Sequence, residues 1–345
     1  MNKKEMLYWL NENDLTKCKK LFERAYEIKI NAVGKTVYFR GIIELSNICQ
    51  KNCYYCGVRR DSEINRYSLL QTEILDSAEF AYKKGYASIV IQAGEQTSEK
   101  YTAFISDTIK KIKDLSKGEL GITLSLGEQT KDVYKKWFSA GAHRYLLRIE
   151  TSSKDLYKKL HPQDHLFKER VICLYDLKDI GYQVGTGVMI GLPYQKNSDL
   201  AEDLLFFKKN DIDMIGMGPY IFCEKTPLSK FKIDLNNNFY LSLKMIALTR
   251  IIMPDINIAA TTALQAIDPV GREKALQVGA NIIMPNITPK KYRVDYQLYN
   301  NKPCLSEEAF MCQECLETRV KVIGENIGYN KWGDSIHFYK RIKCK

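Results

Sequence analysis

Apolar residues along this chain alternate between two rhythms. Short, nearly unbroken apolar runs recur: "YFRGIIELS" (38–46), "ASIVIQAG" (87–94), "GITLSLG" (121–127), "RYLLRIE" (144–150), "VGTGVMIGL" (184–192), "DMIGMGP" (213–219), "INIAATTA" (256–263) and "ANIIMPN" (280–286). Runs this short and this apolar suit parallel strands buried on both faces. Between them lie stretches with apolar positions three or four apart, such as "LQTEILDSAEFAYKKG" (70–85) and "LAEDLLFFKKND" (200–211), each ending on a helix stop signal. Eight strand–helix units in succession predict an α/β fold, a closed (β/α)8 barrel of the TIM type. A doubly wound open sheet is the alternative. It usually has fewer strands and a phosphate-type glycine loop after the first, and none follows 38–46. Residues 1–37 read as N-terminal helices, 38–304 as the barrel and 305–345 as a C-terminal helical tail. No linker, repeat or low-complexity segment divides 1–345, so a single domain is expected.

The barrel reading gives the polar residues a location. Strand runs end on "QAGE", "SLGE", "RIET", "GLP" and "TTA". In a barrel the active site lies at the C-terminal ends of the strands, so these endings would share one rim.

Charge changes the picture little. The net charge is +11, but the lysines are scattered through helical stretches and not interleaved with aromatics in one block. A solvated surface, with no nucleic-acid partner, is the expectation. No apolar run is long enough for a membrane span. The start "MNKKEMLYWLNENDLTKC" lacks the apolar core of a signal peptide, so a cytoplasmic location is expected.

The cysteines change the picture most. Ten in a chain read as cytoplasmic do not make a disulfide framework. Six fall into two groups, and the isolated ones read as small buried hydrophobes. The first group, "NICQKNCYYCGV", holds Cys49, Cys53 and Cys56 as C-x3-C-x2-C directly after the first strand run. A structural zinc site wants four ligands, and none of the four histidines (His143, His161, His165, His337) lies near this stretch in sequence. A cubane iron–sulfur cluster normally takes four thiolates. Held by three, it keeps one iron open, as a catalytic site requires. The second group, Cys304, Cys312 and Cys315 in "PCLSEEAFMCQEC", reads as zinc or iron–sulfur by itself.

The C-x3-C-x2-C spacing, with Tyr55 before its last cysteine, resembles the signature of the radical S-adenosylmethionine (radical SAM) superfamily. The blocks "IIELSNICQKNCYYCGVRR", "TLSLGE", "AGAHRYLLRIET", "GMGPYI", "ATTA" and "GANIIMPNITPKKY" resemble the HydE family. Those are radical SAM maturases that help build the active-site cluster of [FeFe]-hydrogenase. Biotin synthase and methylornithine synthase are relatives with the same barrel and cluster motif. The resemblance implies that Cys49, Cys53 and Cys56 hold a [4Fe-4S] cluster whose open iron is chelated by SAM. It implies SAM contacts near Tyr55, Gly94, Glu95 and Ser125, with Glu150 and Arg170 as the pair that holds ribose and carboxylate. It implies that Arg148 binds the carboxylate of a cysteine-derived substrate, with Gln92, Thr123, Thr261, Thr262, Tyr296 and Tyr299 lining the same pocket. The substrate would be a cysteine-ligated iron carbonyl-cyanide unit, attacked at sulfur on the way to a di-iron precursor.

The resemblance further implies a second cluster, [2Fe-2S] or [4Fe-4S], at Cys304, Cys312 and Cys315. The partners would be the maturases HydG and HydF, and an electron donor such as a ferredoxin or flavodoxin. This chain departs from the family pattern at Ala93, Tyr194 and Cys223, where relatives often have Ser, Gly and His. The alternatives are radical chemistry on an amino-acid-like substrate, as in methylornithine or biotin synthesis, and a non-enzymatic iron–sulfur or zinc protein that binds no SAM.

Overall fold

The computed structural model describes residues 1–307 and 309–343, without the side chains of 310–312. Each of the eight apolar runs supplies one barrel strand. The first is built of two segments, Thr36–Phe39 and Gly41–Ser46. The others are Ser88–Ala93, Gly121–Ser125, Arg144–Leu146, Gln183–Thr186, Met214–Ile215, Asn257–Ile258 and Ile282–Ile283. Successive strands pair in parallel from the first to the seventh. The ring then closes. Ala259 bridges to Ile282, and Tyr38 and Phe39 of the first strand pair with Ile282 and Ile283 of the eighth.

Several strands are shorter than their apolar runs. The fifth run separates into Gln183–Thr186 and Met189–Ile190, and the sixth into Met214–Ile215 and Gly218–Pro219. The two upper pieces pair with each other, outside the main ladder.

Alternation along the strands sorts residues between two cores. Ile89 and Ile91 of the second strand pack outward with Ile122, Leu124, Tyr145 and the helices. Ser88, Val90 and Gln92 point the other way, into the barrel, at three heights. The lowest interior layer is polar, with Arg40, Ser88, Arg144, Gln183 and Asn257 all buried. Above it Val90, Leu146, Met214 and Met284 surround a void of about 30 Å³. Above that layer the interior widens toward the strand ends.

The flanking segments do more than the sequence suggests. Helix Lys3–Asn11 begins with a capping box between Asn2 and Glu5, and packs on helix Asn197–Lys209. Helix Leu15–Val33 packs on Leu235–Ile252. At the other end, Asn326–Ile327 adds a parallel strand beside Thr36–Val37. The chain then crosses beneath the barrel. Arg144 donates to the Asp334 carboxylate and, at 2.8 Å, to the Trp332 carbonyl. Arg40 and Asn257 both donate to the Gly333 carbonyl, at 3.0 and 2.8 Å. In the following helix, Ile336–Lys343, Arg341 pairs with Asp213 at 2.7 Å. The segment expected to be a simple tail is the floor of the barrel. Among the described residues, no helix is long and apolar enough to cross a membrane.

Candidate active site

A cavity of about 350 Å³ opens above the middle layer, at the C-terminal ends of the strands. Its wall includes Cys49, Cys53 and Cys56, on the loop that follows Ser46. That loop is held from within. Arg66 donates to the carbonyls of Asn47, Val58, Arg59, Arg60 and Ser62, at 2.6 to 3.1 Å. Asn47 Nδ2 donates to the Asn65 and Asp295 carbonyls at 2.7 Å. A loop carrying three ligands could not bury its carbonyls without such donors. Gly94 lets the second-strand loop rest directly on it. A Cβ there would meet the Ile48 carbonyl oxygen at 2.4 Å and Cys49 Cβ at 2.7 Å.

Four charged groups surround the next part of the wall. Lys51 pairs with Glu128 at 2.8 Å and Glu95 at 3.4 Å. Arg170 pairs with Glu128 and donates to the Arg148 carbonyl at 3.1 Å. Glu95 accepts from the Glu128 amide at 2.8 Å. This contact requires Gly127, whose φ is +76° and whose added Cβ would lie 2.3 Å from Glu95 Oε2. Burial raises the Glu95 pKa. Burial also acts to raise that of Glu128, but Arg170 and Lys51 outweigh it and hold the carboxyl below its ordinary range. Further along, Arg148 Nε donates to both Glu150 oxygens at 3.0 and 3.1 Å. Glu150 sits at φ +62°, a left-handed conformation that costs a non-glycine residue about 1 kcal/mol or more.

The far wall carries two hydrogen-bonded pairs: Gln92 Nε2 donates to the Tyr296 hydroxyl at 3.2 Å, and the Thr262 and Tyr299 hydroxyls lie 2.9 Å apart. Thr261 donates to the Met217 carbonyl at 3.2 Å. Deeper lies a charged group the sequence did not reveal. Lys302 pairs with Glu44, which also accepts from Asn286 at 3.2 Å. Arg272 is 2% exposed and lines the cavity, and its Nε has no hydrogen-bond partner.

The cavity thus gathers Cys49, Cys53, Cys56, Tyr55, Gln92, Gly94, Glu95, Ser125, Arg148, Glu150, Arg170, Thr261, Thr262, Tyr296, Tyr299 and Cys304. Three expectations need correction. Thr123 lines the small void one layer below, because it precedes Ser125 by one full pleat. Arg170 does line the cavity together with Glu150. The carboxylate that Arg170 pairs with is Glu128, the last residue of "SLGE", a block read only for its serine. Cys315 is exposed on helix Ala309–Val322, away from the cavity wall, and the Cys312 side chain lies outside the described residues. Finally, histidines do reach the first cysteine group. His165 Nδ1 lies 3.9 Å from Cys53 Sγ, and His161 Nε2 lies 3.1 Å from the Tyr55 hydroxyl. They arrive on a segment more than a hundred residues later, so proximity in sequence could not have found them.

The radical SAM superfamily profile matches residues 43–207. Over 334 residues the chain is 46% identical to the [FeFe] hydrogenase maturase subunit HydE of Thermotoga maritima, covering 96% of this chain and 93% of that one. The chain belongs to the HydE family. A 3-methylornithine synthase of Methanosarcina acetivorans is 30% identical over 76% of this chain and 73% of its own length. Among solved structures, methylornithine synthase superposes with a TM-score of 0.83 at 23% identity, covering 95% of this chain and 94% of that one. The maturase HydG from Carboxydothermus hydrogenoformans superposes with a TM-score of 0.81 at 19% identity, covering 98% and 78%. These two share the fold.

Radical SAM membership implies a [4Fe-4S] cluster and SAM, and the residues of this HydE-family chain fit the cluster. Cys49, Cys53 and Cys56 are free thiols. Burial raises all three pKa values, that of Cys53 to about 12. Thiols desolvated in this way ionise only when a cation compensates. Among the described residues, the ligand atoms that gather closely enough for one ion are those of Cys53, His161 and His165. Cys49 and Cys56 stand outside that group, so the three sulfurs are not arranged around one metal ion.

Proposed function

We propose that this HydE-family enzyme holds its cluster on Cys49, Cys53 and Cys56 and binds SAM across the adjoining strand ends. When bound, the cluster and SAM supply an electron and a 5′-deoxyadenosyl radical. The chain's own residues do the rest. Gly94 brings a backbone edge against the cysteine loop, where the SAM amine would sit, and Glu95 and Glu128 offset its charge. Ser125 and Tyr55 complete that wall. Arg170, held by Glu128, offers a guanidinium to the SAM carboxylate, while Glu150 accepts from ribose hydroxyls.

The proposed substrate is a small cysteine-ligated iron carbonyl-cyanide unit. Arg148 would bind its carboxylate, and Gln92, Thr261, Thr262, Tyr296 and Tyr299 would line its pocket. Arg148 and Glu150 neutralise one another at 3.0 Å. Binding of carboxylate at one and ribose at the other would part them, so the two ligands would favour each other's entry. HydG and HydF are the proposed partner maturases, with a ferredoxin or flavodoxin as reductant and the cytoplasm as location. A second cluster on Cys304, Cys312 and Cys315 remains part of the proposal. The exposure of Cys315 supports a peripheral role for it, and Cys315→Ala should lower bound iron without stopping SAM cleavage.

The observation that carries this reading is the convergence of three thiols and a set of charged groups on one cavity at the strand ends. The test is anaerobic reconstitution with iron and sulfide, followed by assays for 5′-deoxyadenosine and for hydrogenase activity in a reconstituted maturation mixture. Both products are expected. A cluster-loaded protein that forms neither would refute the proposal, and cleavage without maturation would point to an amino-acid-like substrate.

A further inference from the structure

The three cluster sulfurs differ in what donates to them. Cys49 Sγ accepts from the Glu95 backbone amide at 3.3 Å. Cys56 faces the Val58 amide. Both donors belong to the main chain and persist whatever the side chains are. Cys53 is approached by side chains instead: His165 Nδ1 at 3.9 Å, with the Tyr55 hydroxyl also beside it.

The neighbouring groups settle which of these can donate. His161 Nδ1 lies 2.9 Å from the Tyr157 carbonyl, which can only accept. His161 therefore carries its proton on Nδ1, and its Nε2 accepts from the Tyr55 hydroxyl at 3.1 Å. That commits the tyrosine proton to His161 and leaves His165 as the donor to Cys53. The His165 ring is held in place. It stacks on His161 with centroids 5.6 Å apart, and His161 stacks on Tyr157 at 4.0 Å. Both histidines are at least nine-tenths buried. A single ion bound by Cys53, His161 and His165 through His161 Nε2 would have to displace the Tyr55 hydroxyl from that nitrogen.

We infer that His165 tunes the reduction potential of the cluster by donating its Nδ1–H to the Cys53 sulfur, with Tyr157 and His161 as positioning residues. A thiolate bound to iron is only an acceptor, so the proton between the two belongs to His165. Reduction adds negative charge to the cluster and its sulfurs, and the hydrogen bond strengthens accordingly. It therefore favours the reduced state and raises the potential. The inference rests on the proposed ligand set.

The test is an EPR-monitored redox titration of reconstituted wild type and His165→Phe, which keeps an aromatic ring in the stack and loses the donor. Equal iron content is expected. The reduced-to-oxidised ratio at fixed potential should fall about tenfold, a drop of about 59 mV for a one-electron couple. An unchanged potential in an intact cluster overturns the tuning alone. A wild type that assembles no cluster overturns the ligand set with it. Should His165→Phe fail to assemble, pulsed EPR of reduced wild type labelled with ¹⁵N-histidine decides. A weak ¹⁵N coupling is expected, and its absence would overturn the inference.

Discussion

Both ends of this barrel bury charges, but they balance them differently. At the lower end Arg144, Asp213, Arg341 and Asp334 are buried and joined to one another across the floor. At the upper end Arg272 is as buried as these, with its Nε unpartnered, and Arg148 and Glu150 face an open cavity. A buried charge costs stability unless it is compensated. The lower end meets most of that cost from within the chain, with Arg40 Nε left unpartnered. At the upper end the proposed ligands would meet part of it, so the same chemistry would serve stability at one end and binding at the other.

The comparison breaks most visibly at Cys53. Cys53→Ala should abolish SAM cleavage and leave thermal unfolding of the cluster-free protein nearly unchanged. Cleavage at the wild-type rate, or a collapse of stability, would place this residue in the wrong class. The reverse outcome is expected at the floor. Asp334→Ala leaves Arg144 buried without its carboxylate, and should cost about 3–5 kcal/mol, read from denaturant unfolding. Turnover per folded, cluster-loaded molecule should not change. A cost below about 1 kcal/mol would mean that the floor's ion pair contributes little net stability.

A smaller effect sharpens the upper end. Arg148→Lys keeps the charge and loses the fork. It should weaken binding of a cysteine-ligated iron complex by roughly 1.5–3 kcal/mol, about tenfold or more, while SAM binding is retained. Equal loss of both would move Arg148 into the cofactor site.

The smallest effect concerns pH at the floor. His337 contacts Asp255 at 3.2 Å and Asp211 at 2.7 Å, and these hydrogen bonds raise its pKa, that with Asp255 foremost. A histidine whose pKa is raised on folding stabilises fully below its ordinary value of about 6.5. That contribution fades as pH climbs through the raised value. His337→Gln should remove this slope, worth under about 1 kcal/mol for a partly exposed pair. A wild-type melting temperature that rises over the same window, once corrected by the variant, would contradict the sign.

The barrel was legible because each strand needed an apolar run, and eight such runs separated by helical stretches leave few alternatives. The three-cysteine group was legible because its spacing is local. Partners that meet across the fold were not. Glu128 and Arg170 are 42 residues apart, and Glu44 and Lys302 are 258 apart. No local pattern joins such pairs. The floor was missed for a related reason, since "WGDSIHFYKRIK" carries no strand or core signature and acts through Asp334 and two backbone carbonyls. One departure from the family pattern became intelligible only with the backbone. Tyr194 stands at φ +69°, a conformation that favours the glycine implied by the resemblance.

The floor has a consequence for how the protein is made. Synthesis runs from the first residue to the last, and Asp334 is added 190 residues after Arg144. At roughly 5–20 residues per second, that guanidinium waits about 10–40 s on the ribosome for its counter-charge. All eight strands have emerged by then, with the underside of the nascent barrel still open. Until those last residues arrive, a chaperone or a neighbouring nascent chain could reach the polar layer that the finished molecule seals off.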